Sequence, residues 1–461
     1  MTDDPARQRL VAATDAWRAA PDDLAARTRL ARVLARTPRL AGRAHQEPIA
    51  AMIRDPRIDP AQFECAGWHA IAAPSLDLDD TGFARWLEDN DLAIALLEEA
   101  QVVSTVAERL LSHIRRWLLL TGRTSDFPRA TAALIRQAQI NGGAWPFAAD
   151  ERAALADQPG FAASYVPPPP SEASRIDHAD PVTRAVAAQY SSWPYPVWQR
   201  MNALPGPSLA AILRARGGDV PPLPPHPDIL VAGCGTGREA LTLARIAPEG
   251  QVAAIELSEA SLAIARDRCA GQPNLRLLRH DLHAVADLGQ RFDHVSCSGV
   301  LHHLANPEAG WAALVNVLAP NGTMRIALYS RLARANVLAV RQSLGDQAAT
   351  DDAVREARRQ LIAAPVAGIT SSRDFFSVAG ARDLLFHAHE DCFDLPRIAR
   401  ALDTLDLRLL GLDMPTPDAA ADYRAAAPHD PLQRDLAALH AWETRNPTAF
   451  ASMYRLTVAR R

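Results

Sequence analysis

The sequence predicts an all-helical N-terminal part followed by an α/β domain built on a parallel sheet. Three observations carry that prediction. Apolar residues recur three or four apart through residues 1 to about 160, short β-branched runs alternate with amphipathic segments from Ile229 onward, and three glycines stand where the first of those runs ends. Between the two textures lies Val166-Pro-Pro-Pro-Pro-Ser171, which cannot continue a helix and favours extended chain. The expected boundaries are a helical domain over 1–165, a proline-rich linker with an aromatic extension over 166–228, and the α/β domain over 229–461.

At 461 residues the chain is about three times an ordinary domain of roughly 150 residues, so more than one core is expected. Hydrophobic residues make up 48% and charged residues 22%, which excludes a disordered tail protein. There are 49 basic and 53 acidic residues, a net charge of -4, so nucleic acid is disfavoured as a partner. Every basic residue is arginine. Without lysine, Schiff-base chemistry, pyridoxal phosphate attachment and a Gly-Lys phosphate loop are closed. The five cysteines, Cys65, Cys234, Cys269, Cys297 and Cys392, contain no Cys-x-x-Cys pair, which fits a reducing cytoplasm and neither a disulfide framework nor a zinc ribbon. The acidic start and the lack of a long apolar run predict neither a signal peptide nor a membrane span.

Helical spacing is clearest from Leu92 to Leu120, where Leu96, Leu97, Val103, Val106, Leu110, Leu111, Ile114 and Leu118 recur three or four apart. Farther on, Ile229 to Ala232 reads as a strand, Arg238 to Ile246 as a helix, Gln251 to Glu256 as a strand, and Ser258 to Cys269 as a helix capped by Ser258. Asn274 to His280 and Phe292 to Cys297 are further strands. Asn306-Pro307 sets an N-cap with proline at N1 for a helix to Leu318, and Pro320-Asn-Gly322 is a turn into a fifth strand, Thr323 to Ser330.

Ile229-Leu-Val-Ala-Gly-Cys-Gly-Thr-Gly237 places its glycines where a buried strand turns into a helix, so a ligand can approach bare backbone and meet the amides of a helix N-terminus. Glu256 lies nineteen residues after Gly237, at the end of the next strand, where a carboxylate can accept from both hydroxyls of a ribose. Loop and acid together imply a nucleoside ligand. Gly235-x-Gly237-x-x-Ala240 also satisfies a dinucleotide pattern, which keeps a nicotinamide-dependent oxidoreductase as an alternative.

On these residues the chain resembles the class I S-adenosylmethionine-dependent methyltransferases over roughly Ile229 to Ser330. The resemblance implies a Rossmann-like seven-stranded sheet and S-adenosyl-L-methionine as cofactor. It implies that Gly233, Gly235 and Gly237, with Cys234 among them, flank the methionine part, that Glu256 with Leu257 binds the ribose, and that Asp281 with the Leu282 amide meets the adenine. Cys297-Ser-Gly-Val-Leu-His-His-Leu304 is similar to the strand-four segment of these enzymes, where carbonyls near Ser298 receive the ammonium group. Val317-Leu-Ala-Pro-Asn-Gly322 is similar to their turn before strand five. Ala232 departs from the pattern, since many members have an acid just before the glycines; Asp228 or a carbonyl near Ser298 is left to supply that contact. Leu407 to Leu412 and Met453 to Val458 look like the closing strands of the sheet, the last antiparallel, which makes 335–402 an inserted lid above the strand ends. The longer chain resembles bacterial methyltransferases with a tetratricopeptide-like N-terminal domain, on Tyr190-Ser-Ser-Trp-Pro-Tyr-Pro-Val-Trp198, Ala381-Arg-Asp-Leu-Leu-Phe-His387 and Phe450-Ala-Ser-Met-Tyr454.

His302 and His303 follow the fourth strand, where an imidazole can accept a proton from an acceptor; the alternative is a hydrogen-bonded structural histidine. Tyr195, within its aromatic segment, either lines the acceptor pocket or packs between the domains. Arg382 and His387 are substrate candidates on the resemblance alone. His387-Ala-His-Glu-Asp-Cys392 crowds five ligand-bearing side chains into six positions, yet matches no patterned zinc spacing, so no metal is expected. The expected acceptor is a small molecule or a protein, and the helical domain is a candidate surface for a protein partner. A non-catalytic binding protein on the same fold is a further alternative.

Overall fold

The computed structural model describes residues 4–71, 74, 78–166, 178–203, 206–216, 219–345 and 349–461. The prolines expected to mark the domain break, 167–170, lie outside the described residues. By packing, the chain divides into two compact units: Met1–Pro169 with Val197–Leu204 and Asp346–Leu384, and Pro170–Pro196 with Pro205–Gly345 and Leu385–Arg461. No helix among the described residues is long and apolar enough to cross a membrane.

The first unit is helical. Asp23 caps Leu24–Arg36 by accepting from the amides of Ala25 and Ala26, and Ser104 caps Thr105–Thr121 by accepting from Ala107. That second cap divides the continuous run expected from Leu92 to Leu120 into Asp91–Glu99 and Thr105–Thr121. Restarting the helix resets its phase, so Leu96, Leu97, Leu111, Ile114 and Leu118 are buried while Val106 is 76% exposed. Ile49, Met52, Leu87, Phe127 and Leu134 complete a core in which each buried side chain contributes about 1.5–3 kcal/mol.

The boundaries 1–165, 166–228 and 229–461, with an insertion at 335–402, do not coincide with this division, because residues 346–384 pack with the helices. The helix Asp351–Ala363 carries the reason. Arg358, fully buried, donates to both oxygens of Glu108 at 3.1 and 2.7 Å and to the Phe375 carbonyl at 2.6 Å. Arg355 donates to the Gly143 carbonyl at 2.7 Å, and Gln101 donates to that of Arg373 at 3.0 Å. Phe375 and Phe376 are buried here.

The second unit is a seven-stranded sheet: β1 Asp228–Ala232, β2 Gln251–Glu256, β3 Leu275–Arg279, β4 Phe292–Ser298, β5 Leu318–Leu328, β6 Leu407–Leu412 and β7 Tyr454–Arg460. Their order is β3-β2-β1-β4-β5-β7-β6, with β1 to β5 parallel and β7 antiparallel to both neighbours. Crossovers through Arg238–Ile246, Glu259–Arg268 and Pro307–Asn316 keep both faces covered, so β1 and β4 are buried at consecutive positions rather than at alternate ones, including the polar His294 and Ser296. Pro320-Asn-Gly322 is not a turn before β5, as expected, but part of the strand. The register passes from Phe292↔Leu318 to His294↔Thr323, so the extra residues on β5 are taken up as an irregularity in the ladder.

Candidate functional site

The chain order of the sheet reverses at β1 and β4, and the crevice beyond their carboxyl ends is where open α/β sheets bind ligands. After β1, Gly233, Gly235 and Gly237 all have positive φ, 71°, 52° and 90°. A Cβ on Gly233 would lie 2.5 Å from Cγ2 of Val300, and one on Gly235 would lie 2.4 Å from the Tyr195 carbonyl oxygen. The bare backbone at Gly235, read from sequence as room for a ligand, is therefore room for a neighbouring chain segment.

That segment is the aromatic one. The Thr236 amide donates to the Tyr195 carbonyl at 3.2 Å, and its hydroxyl donates to the Pro196 carbonyl at 2.7 Å. The preceding helix, Pro181–Ser192, is capped by Asp180 and packs against Glu259–Arg268. Tyr195 thus lies at the glycine loop.

At the end of β2, Glu256 braces the same loop. Its Oε2 accepts from the Gly235 amide at 2.9 Å, and Oε1 accepts from the amides of Leu257 and Ser258, each at 2.9 Å. Burial pushes its carboxyl up, against the pull of these three amides. A carboxylate offers about four lone-pair sites. Three are filled by backbone, which leaves capacity on Oε2 rather than on both oxygens.

After β3, Asp281 caps the short helix Leu282–Leu288 through Oδ1, which accepts from the His283 amide at 2.9 Å, while Oδ2 lies 3.0 Å from Nε2 of His178. Leu282 is buried at the start of that helix. Ser298 ends β4, and the Gly299 amide after it donates to the Ala327 carbonyl at 3.2 Å. Asp228 is at the wrong end of β1 for the contact considered for it: it begins the strand that the glycines follow, about 16 Å from Gly233 at strand rise.

His302 and His303 are buried beyond β4. Nδ1 of His302 accepts from the Tyr329 amide at 3.3 Å, its ring lies 4.0 Å from that of Tyr329, and its Nε2 has no hydrogen-bond partner among the described residues. His303 donates from Nδ1 to the His389 carbonyl at 2.8 Å and stacks on His387, ring centroids 3.6 Å apart. His387 in turn holds the Tyr190 hydroxyl at 3.1 Å through Nε2. Burial pushes the imidazole of His302 well below its ordinary range and that of His387 down to about 3, so both rings are neutral near pH 7.

Three predicted residues, His302, His303 and His387, thus form one cluster. Arg382 belongs to the helical unit, where it is buried and pairs with Asp351 at 2.8 Å. In the tract after His387, Glu390 is held by Arg334 and Arg341, and Asp391 by both terminal nitrogens of Arg397 at 2.8 Å. Those carboxylates serve as ion-pair partners. Sequence reasoning missed His178 and Thr236. The only signal near His178 is the helix start Asp180-Pro181 two residues on.

Residues 229–322 match the family model described as a methyltransferase domain. The strand order above makes the sheet unit a seven-stranded Rossmann-like fold, and the matched residues run from β1 into β5 of that sheet. An uncharacterized protein of Synechococcus sp. is 35% identical over 176 residues, 36% of this chain and 41% of its own length. A demethylmenaquinone methyltransferase of Symbiobacterium thermophilum is 31% identical over 102 residues, 21% of this chain and 41% of its own. The chain thus spans about two fifths of the length of these curated relatives. Among solved structures, PKMT2 of Rickettsia typhi in complex with AdoHcy matches at 17% identity and a TM-score of 0.40, over 54% of this chain and 52% of that one.

Proposed function

We propose that the protein transfers a methyl group from S-adenosylmethionine to a small-molecule or protein acceptor in the cytoplasm. The observation that carries the proposal is Glu256, which stands at the end of β2 and accepts from the Gly235 amide inside a segment matched as a methyltransferase domain. In this reading the glycine loop and the carbonyls near Ser298 hold the methionine part, Oε2 of Glu256 accepts from a ribose hydroxyl, and Asp281 with the Leu282 amide meets the adenine. The bound cofactor supplies an electrophilic sulfonium methyl.

The chain's own part is to hold an acceptor in line with that methyl and to exclude water, which can lower the barrier by about 7–11 kcal/mol. The ring of His302, neutral near pH 7, and the ring of His303 beside it serve to orient the acceptor. An imidazole as depressed as that of His302 is a weak proton acceptor near pH 7, so positioning outweighs base catalysis. The five unpaired cysteines support the cytoplasm. The helical unit, read as tetratricopeptide-like, is proposed as the surface for a protein partner.

Calorimetry with S-adenosylhomocysteine and methyl transfer from labelled S-adenosylmethionine into a fractionated cell extract test the proposal together. Glu256→Ala should weaken binding by about 1.5–3 kcal/mol, the worth of a charge-assisted hydrogen bond plus the loosened loop. Binding of a nicotinamide cofactor alone would turn the reading to an oxidoreductase. Cofactor binding without label in any fraction would leave a non-catalytic protein.

A further inference from the structure

Asp281 is bound from outside its own loop. His178 lies on the segment before Pro181–Ser192, and its Nδ1 accepts from the Asp180 amide at 3.1 Å. A ring nitrogen that accepts from an amide carries no proton, so the proton of the neutral ring is on Nε2. Nε2 therefore donates to Oδ2 of Asp281 across 3.0 Å. The backbone that carries the ring is held by Arg184, which donates to the carbonyls of His178 and Ala179. Oδ1 of Asp281 is committed to the His283 amide. Among the described residues each oxygen thus has one protein donor and keeps one lone pair, and the carboxylate plane is set from both sides.

The other end of the same segment is tied to the glycine loop through Tyr195, Pro196 and Thr236. Residues 178–196 consequently run from the exit of β3 to the exit of β1, the two places where a nucleoside lying across the strand ends would have its base and its amino-acid tail.

We propose that His178 is a positioning residue of the adenine subsite. It fixes Oδ2 of Asp281 so that the remaining lone pair accepts from the exocyclic amine of a bound purine. The inference rests on the reading of Asp281 as the residue that meets the adenine.

The test uses the full chain and two probes in calorimetry: S-adenosylhomocysteine, and S-inosylhomocysteine, which has a carbonyl in place of the exocyclic amine. His178→Ala should weaken S-adenosylhomocysteine roughly tenfold and change S-inosylhomocysteine little, because only the first ligand uses the oriented lone pair. His178→Gln, whose amide nitrogen can replace Nε2 as donor, should recover most of the affinity. A merely structural role would lower the melting temperature and weaken both ligands alike, which overturns the proposal. It is equally overturned if His178→Ala binds as the parent or more tightly while Asp281→Ala is weakened; tighter binding would make His178 a competitor of the purine. If Asp281→Ala itself binds S-adenosylhomocysteine as the parent does, the adenine reading of Asp281 fails and this inference falls with it.

Discussion

Glu64 shows how one buried acid sets a pH dependence. It is almost wholly buried in the helical unit, and Oε1 accepts from the Val103 amide at 3.0 Å. Burial pushes its carboxyl up to about 7, against the amide and the charge of Arg373. In the unfolded chain the group ionises near 4.5, so between that pH and about 7 the folded protein holds a proton the unfolded chain has released, and stability falls as pH rises through this window. Glu64→Gln removes the titration and can keep the Val103 bond through its amide oxygen. The melting temperature of the variant, taken relative to the parent, should therefore move in the variant's favour from about pH 5 to about pH 8. A difference that stays flat over that range would mean Glu64 ionises normally.

A buried ion pair ties the helix Asp351–Ala363 to Thr105–Thr121, and removal of one partner exposes what the pair does. Glu108→Ala leaves the guanidinium of Arg358 buried with only carbonyl partners and should cost roughly 3–5 kcal/mol in chemical denaturation. Replacing both residues, Glu108→Leu with Arg358→Met, should cost less than the single change, because no charge is left behind; a double variant weaker than the single would place the loss in packing instead. The partners are 250 residues apart in sequence, which is why the helix read as part of a lid. Periodicity reports which face of an element is apolar, but not which distant element covers it. The sheet was legible for the opposite reason: Ser258 and Asn306 announce their helices locally, and both are observed N-caps. The places of the glycine loop and of Glu256 in the fold were legible because a turn with positive φ favours glycine and because the β-branched pattern marks the strand that Glu256 ends. His178 was not, since a single histidine gains meaning only when its ring is seen against Asp281.

At the scale of the molecule, chain order and packing disagree, and the disagreement predicts how the protein can be cut. A chain of residues 178–461 keeps all seven strands but carries 346–384 without the partners it has in the helical unit. Arg358 would lose Glu108 and Arg355 would lose the Gly143 carbonyl, while Val354, Leu361, Ile369, Phe375 and Phe376, all buried in the whole chain, would face water. An exposed patch of that kind is an aggregation hazard. The shortened chain should therefore give little soluble protein. Replacing 346–384 by a short glycine-serine linker removes the stranded surface at the cost of closing one flexible loop, which changes by only about 0.6 kcal/mol for each doubling of its length. That second chain should be soluble, show the circular dichroism of an α/β domain, and keep the Glu256–Gly235 brace and with it affinity for S-adenosylhomocysteine. If the simple 178–461 chain is as soluble and as heat-stable as the whole protein, residues 346–384 do not depend on the helices for their burial. If the linker chain fails to fold while the simple one succeeds, the segment is an integral part of the sheet domain after all.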